Sequence, residues 1–318
     1  MTVGTAERYR SGWRTYLSSR GNPYRVWETA MPYIAPPYLN CALYLYHSRA
    51  DAENGSDTGG SGFLVGIESE VVPNRYHLYA VTADHVRHRS PVVRLNITED
   101  EVEVFDLLPE HWIPHAGGDD VAVCPLDLIP SRSSLSIVVM DEMLTEDLIR
   151  QERIGQGDNC FMVGRLIGHD GKQRNKPVLR FGNIAMMQGM VDQPNRGREQ
   201  ESFLVEMRSK SGFSGSAVFV YFETVGTRPI ATAPPFVQPQ RPSTVVNQAW
   251  LLGLDWGGGD PPVAAVAPAW KLIELLNQEE VVVARKQREE ELAKKWGSPE
   301  QLKNTQQTNT PATSFWPI

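Results

Sequence analysis

The sequence predicts an all-β fold of two six-stranded antiparallel β-barrels, completed by a long C-terminal α-helix. Three observations lead there. From about residue 39 to residue 266 the chain is a succession of short apolar or alternating runs separated by Gly, Pro, Asn and Asp, the pattern of many short strands. These runs fall into two groups of about six with a break near residues 129–134, which suggests two closed sheets rather than one. From residue 268 the apolar spacing changes to that of a helix and holds to about residue 296.

Taken in order, residues 1–36 mix basic, aromatic and proline-bearing segments and read as an N-terminal extension. A first barrel is expected over 37–130, with strands at 42–47, 62–68, 77–82, 92–97, 101–105 and 121–126. A second is expected over 131–267, with strands at 136–140, 160–165, 178–188, 202–207, 216–222, 249–255 and 263–266. Two loops, 192–199 and the proline-rich 228–248, would rim the cleft between the barrels. Pro268 opens the C-terminal helix, 268–297, where its missing N–H costs nothing. Glu290/Lys294 and Glu291/Lys295 support that helix at i,i+4 spacing, and Gly297 and Pro299 end it. Its second half either packs on this chain or offers an amphipathic face to a partner. The segment 298–318, rich in Gln, Asn and Thr, reads as a disordered tail.

Composition removes several function classes. A net charge of −7 argues against a nucleic-acid partner, which would call for a basic stripe. No apolar run has signal-peptide character or the length of a membrane span, so no membrane association is expected. Cys41, Cys124 and Cys160 are a sparse, odd set, read as buried small side chains in a reducing compartment, and a cytoplasmic location follows as the expectation.

The chemistry is carried by three segments: Thr82-Ala83-Asp84-His85-Val86, Asp120-Val121-Ala122-Val123 and Gly212-Phe213-Ser214-Gly215-Ser216-Ala217. A serine hydroxyl is a weak nucleophile until an imidazole takes its proton and a carboxylate orients that imidazole. His85 follows an apolar strand, and Asp119 and Asp120 both precede another, whose alternation lets only one of them face His85. Glycine two positions before Ser214 can turn its N–H toward a bound carbonyl, so the N–H groups of Gly212 and Ser214 are the candidate oxyanion hole. A G-x-S-G turn alone is a common hairpin; the three segments together and in this order are far more specific. His88 forms an H-x-x-H with His85, but no third or fourth ligand lies at metal spacing, and no metal or cofactor is called for. His77, His88, His111 and His115 read as surface or loop residues.

Over about residues 37–268 the chain resembles the trypsin/chymotrypsin-like serine peptidases, and among them an intracellular, bacterial member. That family carries its histidine in T-A-x-H, its acid directly before an apolar-Ala-apolar strand and its serine in G-x-S-G. The resemblance implies a chymotrypsin-like double barrel, selects Asp120 over Asp119, and makes His85, Asp120 and Ser214 a catalytic triad. It implies a serine endopeptidase working through an acyl-enzyme on a protein or peptide substrate, with narrow specificity or control by a protein partner through the N-terminal extension or the C-terminal helix. The family's pre-serine aspartate, which pairs with a freshly cut N-terminus, is here Phe213, so activation by N-terminal clipping is not expected. By position Arg208 lies near the base of the specificity pocket and would favour an acidic side chain. Asp255, Trp256 and Gly257 resemble the substrate-pairing strand, and Asp255 facing the pocket would reverse that sign. The alternative reading is a catalytically silent or latent binding or scaffold module, since folds outlive their chemistry. An α/β esterase is excluded by the order His, Asp, Ser, and about 60 residues after Gly258 are too few for a peptide-binding C-terminal domain.

Overall fold

The computed structural model describes residues 33–56, 58–98, 101–126, 135–166, 171–193, 197–207, 212–228, 241–259 and 263–296. The predicted N-terminal extension, apart from its last four residues, and the predicted tail lie outside them, as does the break near 129–134.

The first half forms one sheet from β1 (Ala42–Tyr46), β2 (Thr58–Glu68), β3 (Tyr76–Thr82), β4 (Val92–Asn96), β5 (Val102–Asp106), β6 (Ile113–Pro114), β7 (Ala122–Leu126) and β8 (Val138–Val139). Their order is β5-β4-β1-β2-β3-β7-β6, antiparallel throughout, with β8 laid parallel along β2. The second half forms a closed six-stranded barrel from β9 (Asn159–Gly164), β10 (Val178–Gln193), β11 (Arg198–Glu206), β12 (Ala217–Arg228), β13 (Arg241–Gly259) and β14 (Val263–Pro268). The architecture is a chymotrypsin-like double barrel. The first sheet runs to eight strands because it includes the two-residue pieces β6, at one end, and β8, laid along β2. One end stops at β6, two residues long and ending in Pro114, which has no N–H to pass the ladder on.

Strands β1, β3, β4 and β7 of the first sheet are buried on both faces, so they read as continuous apolar runs. In β1, Leu43 and Leu45 enter the main core, while Tyr44 and Tyr46 enter a separate cluster with Ala52 and Val92. Two fully buried arginines cover those tyrosines: Arg94 stands 4.8 Å and Arg165 4.2 Å from the Tyr46 ring. Arg94 belongs to β4 and Arg165 follows β9, so the cluster straddles both halves. Asn175, beyond β9, accepts from Arg94 Nε at 2.8 Å and donates to the Arg94 carbonyl at 2.7 Å. Tyr38, on α1 (Pro36–Asn40), meets Phe161 and Phe219 edge-on, and those two rings stack at 5.0 Å.

Three more helices decorate the sheets: α2 (Arg49–Asn54), α3 (Asp84–Arg87) and α4 (Glu146–Glu152). The helical span predicted after Pro268 is two helices, α5 (Ala269–Leu276) and α6 (Glu279–Trp296). The break coincides with a contact distant in sequence. The Gln278 side chain reaches the first sheet, accepting from Ala116 N at 2.7 Å and donating to Pro114 O at 3.3 Å. Leu272, Leu275, Leu276 and Val281 are buried, and Glu289 of α6 is tied to β3 through His77 at 2.6 Å. The helices therefore strap both halves rather than packing on the second alone.

Candidate active site

His85 sits on α3, a single turn entered directly from the end of β3, and its side chain is 44% exposed. The turn is anchored from beneath: Arg87 Nε meets Asp84 Oδ1 at 2.5 Å and Arg87 Nη1 donates to Pro109 O at 2.9 Å. The exposed imidazole is thus carried on a fixed base.

Asp120 is buried and spends both carboxylate oxygens on His85. Oδ2 lies 2.6 Å from His85 Nδ1, and Oδ1 accepts the His85 backbone N–H at 2.9 Å. A carboxylate beside Nδ1 requires the proton there, which leaves Nε2 as the acceptor facing the cleft. Asp119 points elsewhere, to His115 Nδ1 at 3.1 Å and Lys271 Nζ at 3.8 Å. Burial alone would raise its carboxyl, but His115, Lys271 and Arg198 outweigh that and hold it below the usual carboxylate range. Of the two acids, the structure brings Asp120 to His85.

Ser214 is half-buried in the turn between Gly212 and Ser216. Gly215 has φ +92°, and a Cβ there would lie 1.9 Å from Ser61 O and 2.4 Å from Thr82 Oγ1, so the position accepts no side chain. The Phe213 carbonyl accepts Ser216 N–H at 2.8 Å. In a trans peptide the N–H points opposite to the C=O, so this bond turns the Ser214 N–H out of the turn. Among the described residues no carbonyl takes the N–H of Gly212 or Ser214.

The Ser214 turn rests on β2. Ser61 N–H donates to Ser214 O at 2.9 Å, and Ser61 Oγ donates to Gly212 O at 2.7 Å while accepting Arg165 N–H at 3.0 Å. Gly60 forms the common floor: a Cβ there would lie 2.7 Å from Val86 of α3 and 3.0 Å from Ser214 O. His85 and Ser214 therefore flank one point on β2. No hydrogen bond joins Ser214 Oγ to His85 Nε2 in this state, and catalytic contacts of this kind often tighten only when ligand binds.

Phe213 is fully buried with the Arg180 guanidinium 4.5 Å over its ring. Arg208 lies outside the described residues. Asp255 is fully buried; its backbone exchanges bonds with Gly215 and Ser216 at 2.7 and 2.9 Å, and its Oδ1 accepts Gly257 N–H at 3.3 Å. The carboxylate thus folds back along its own strand. Trp256 is held by Nε1 donating to Ser202 Oγ at 3.0 Å, and the space beside Gly257 is open.

His77 corrects the sequence reading, while His115 lies in the loop after β6, as read, but not at the surface. Both are buried rather than surface groups, because α5 and α6 cover the strand ends that carry them. His115 lies between Asp119 and Glu274, and His77 meets Glu289. His88 and His111 are exposed as expected. Among the described residues no three His, Cys, Asp or Glu side chains gather as a metal would need. Sequence reasoning passed over Ser61 and Gln200. The run Gly59-Gly60-Ser61-Gly62 inside an apolar strand signals close backbone approach; Gln200 carries no local signal.

No family model and no curated protein matches this sequence. Among solved structures the chain is similar to the MamO protease domain of Magnetospirillum magneticum in its apo form. That match has 14% identity and a TM-score of 0.49, covering 76% of this chain and 98% of that one. It is also similar to the HtrA-type protease AlgW with a decapeptide, at 14% identity and a TM-score of 0.43, covering 71% of this chain and 52% of that one. A third is Deg5, at 13% identity and a TM-score of 0.42, covering 74% of this chain and 86% of that one. Its solved neighbours include proteases.

Proposed function

We propose that this protein is a serine endopeptidase in which Ser214 attacks the scissile carbonyl, His85 shuttles the proton and Asp120 orients His85. The observation that carries the reading is the Asp120 carboxylate engaging both the ring and the backbone N–H of His85 at 2.6 and 2.9 Å. That arrangement fixes tautomer and orientation together and stabilises the imidazolium that forms when Ser214 is deprotonated. The N–H groups of Gly212 and Ser214 then receive the developing oxyanion, each such donor contributing about 10²–10³ in rate. An acyl-enzyme forms, the amine leaves with the proton from His85, and water repeats the sequence. The substrate is a protein or peptide chain, laid along Trp256 and Gly257. The three thiols are free and buried, which supports a reducing, cytoplasmic setting, and the α5–α6 strap is the element through which a regulatory partner would act.

The open contact between Ser214 Oγ and His85 Nε2 favours one second reading, a latent or silent module on the same fold. A fluorophosphonate probe separates the two. Labelling of the full chain that disappears in Ser214→Ala, with cleavage of a peptide library, is the expected result. A folded protein that neither labels nor cleaves would overturn the active reading.

A further inference from the structure

Asp120 ends the turn that leads into β7, and its position is held from the other barrel. Its carboxylate meets the ring and the backbone N–H of His85, and its own backbone N–H donates to Oε1 of Gln200 at 2.8 Å. Gln200 lies on β11 and is 1% exposed. Gln193, at the end of the neighbouring β10, donates its amide to the same oxygen. Arg198 Nε in turn donates to Gln193 Oε1 at 3.2 Å. A continuous polar chain therefore runs Arg198, Gln193, Gln200, Asp120, His85.

The cost of this arrangement identifies its purpose. Among the described residues nothing partners the buried Gln200 amide nitrogen. A buried donor left unmet is unfavourable, and a methionine or leucine would fill the same space without it. What Gln200 supplies is an acceptor oxygen shared by the Asp120 N–H and the Gln193 amide. Without that acceptor the turn carrying Asp120 can rotate, and a carboxylate that must straddle two N–H groups of His85 tolerates little rotation.

We infer that Gln200 is a positioning residue for the His85–Asp120 pair, its Oε1 fixing the Asp120 backbone so that the carboxylate spans both N–H groups of His85. The consequence for turnover rests on the peptidase reading; the consequence for geometry does not. In the full chain, the Asp120 amide should be protected from hydrogen exchange, and His85 Nδ1–H should give a far-downfield proton resonance in the NMR spectrum. In folded Gln200→Met, both signatures should be lost. kcat should fall about ten- to a hundredfold with KM nearly unchanged, short of the ~10⁴ that disabling the acid itself costs in a serine triad. Gln200→Glu, which keeps an acceptor oxygen, should restore the resonance. A folded Gln200→Met protein that keeps the resonance and its kcat would overturn the inference. Should that variant not fold, rapid exchange at Asp120 in the unaltered chain overturns it and protection supports it. If the unaltered chain shows no turnover, the peptidase reading fails while exchange and resonance still decide the role of Gln200.

Discussion

Replacing Ser61 by alanine isolates how the first sheet holds the Ser214 turn. The substitution keeps the backbone bond to Ser214 O at 2.9 Å and the backbone acceptor for Thr82 Oγ1 at 2.7 Å. It removes only the hydroxyl, which bridges Gly212 O and Arg165 N–H at 2.7 and 3.0 Å. Ser61 is fully buried, so one carbonyl and one amide lose a partner that water cannot easily replace. At about 1–3 kcal/mol for each group left unmet, with partial relaxation, the fold should lose about 2–4 kcal/mol. Freed of its tether, Gly212 should also lose its fixed aim, and one oxyanion donor is worth about 10²–10³ in kcat. Denaturant unfolding measures the first effect. Turnover of a peptide substrate, together with affinity for a peptide boronate that becomes tetrahedral on Ser214, measures the second. A stability change below about 0.5 kcal/mol, the size of an ordinary surface substitution, would show that the hydroxyl is not engaged as described. The expected stability loss with unchanged kcat and boronate affinity would refute the link to the oxyanion hole.

Gly215→Ala should abolish fluorophosphonate labelling, because a methyl group cannot occupy a site 1.9 Å from Ser61 O at φ +92°; full labelling would refute the turn geometry. Burial pushes the thiols of Cys41 and Cys124 up to about 12 and raises that of Cys160 as well. A thiol reagent should therefore find no reactive cysteine in the native protein and all three after unfolding. For Glu289, burial alone would raise the carboxyl, but His77, Ser69 and the Glu70 N–H outweigh it and hold it below its ordinary 4.5. A carboxyl held low stabilises the fold above its unfolded value and loses that contribution as pH falls through its folded value. The stability advantage of the unaltered chain over Glu289→Gln should accordingly be steady above about pH 5.5 and shrink below 4.5, as read from denaturation midpoints across the acid range.

Much of this site is written locally in the chain. The three catalytic-type segments each sit at a strand end or tight turn, where a few residues determine the outcome: Thr82 ends β3, Val121 leads into β7, and two glycines shape the turn around Ser214. Strand existence was legible for the same reason, since sheets buried on both faces leave unbroken apolar runs such as Tyr76–Thr82. The choice between Asp119 and Asp120 depended on a family pattern, whereas the structure decides it by partners, His85 for one and His115 with Lys271 for the other. What stayed invisible was contact at long sequence separation. Burial of His77 comes from Glu289, 212 positions away, and the break between α5 and α6 comes from Gln278 reaching Pro114 and Ala116. Gln200 and Ser61 act across the seam between the halves, and no local periodicity records such a contact.

The polar ties at that seam follow from what the site demands. His85 and Asp120 come from the first sheet and Ser214 from the second barrel, so the site exists only when the halves hold one register. Apolar burial is non-directional and lets packed surfaces slide at small cost, while a hydrogen bond weakens steeply when its angle is lost. Buried polar groups tie the halves where they meet: Ser61 against Gly212, Gln200 against Asp120, Arg94 against Asn175. The C-terminal helices add a second set on the acid side, with Lys271 at Asp119, Glu274 at His115 and Gln278 at Pro114 and Ala116. Asp120 is thus gripped between β11 and the loop that α5 holds. Any partner that moved the α5–α6 strap would act on the turn carrying the acid before it touched the serine.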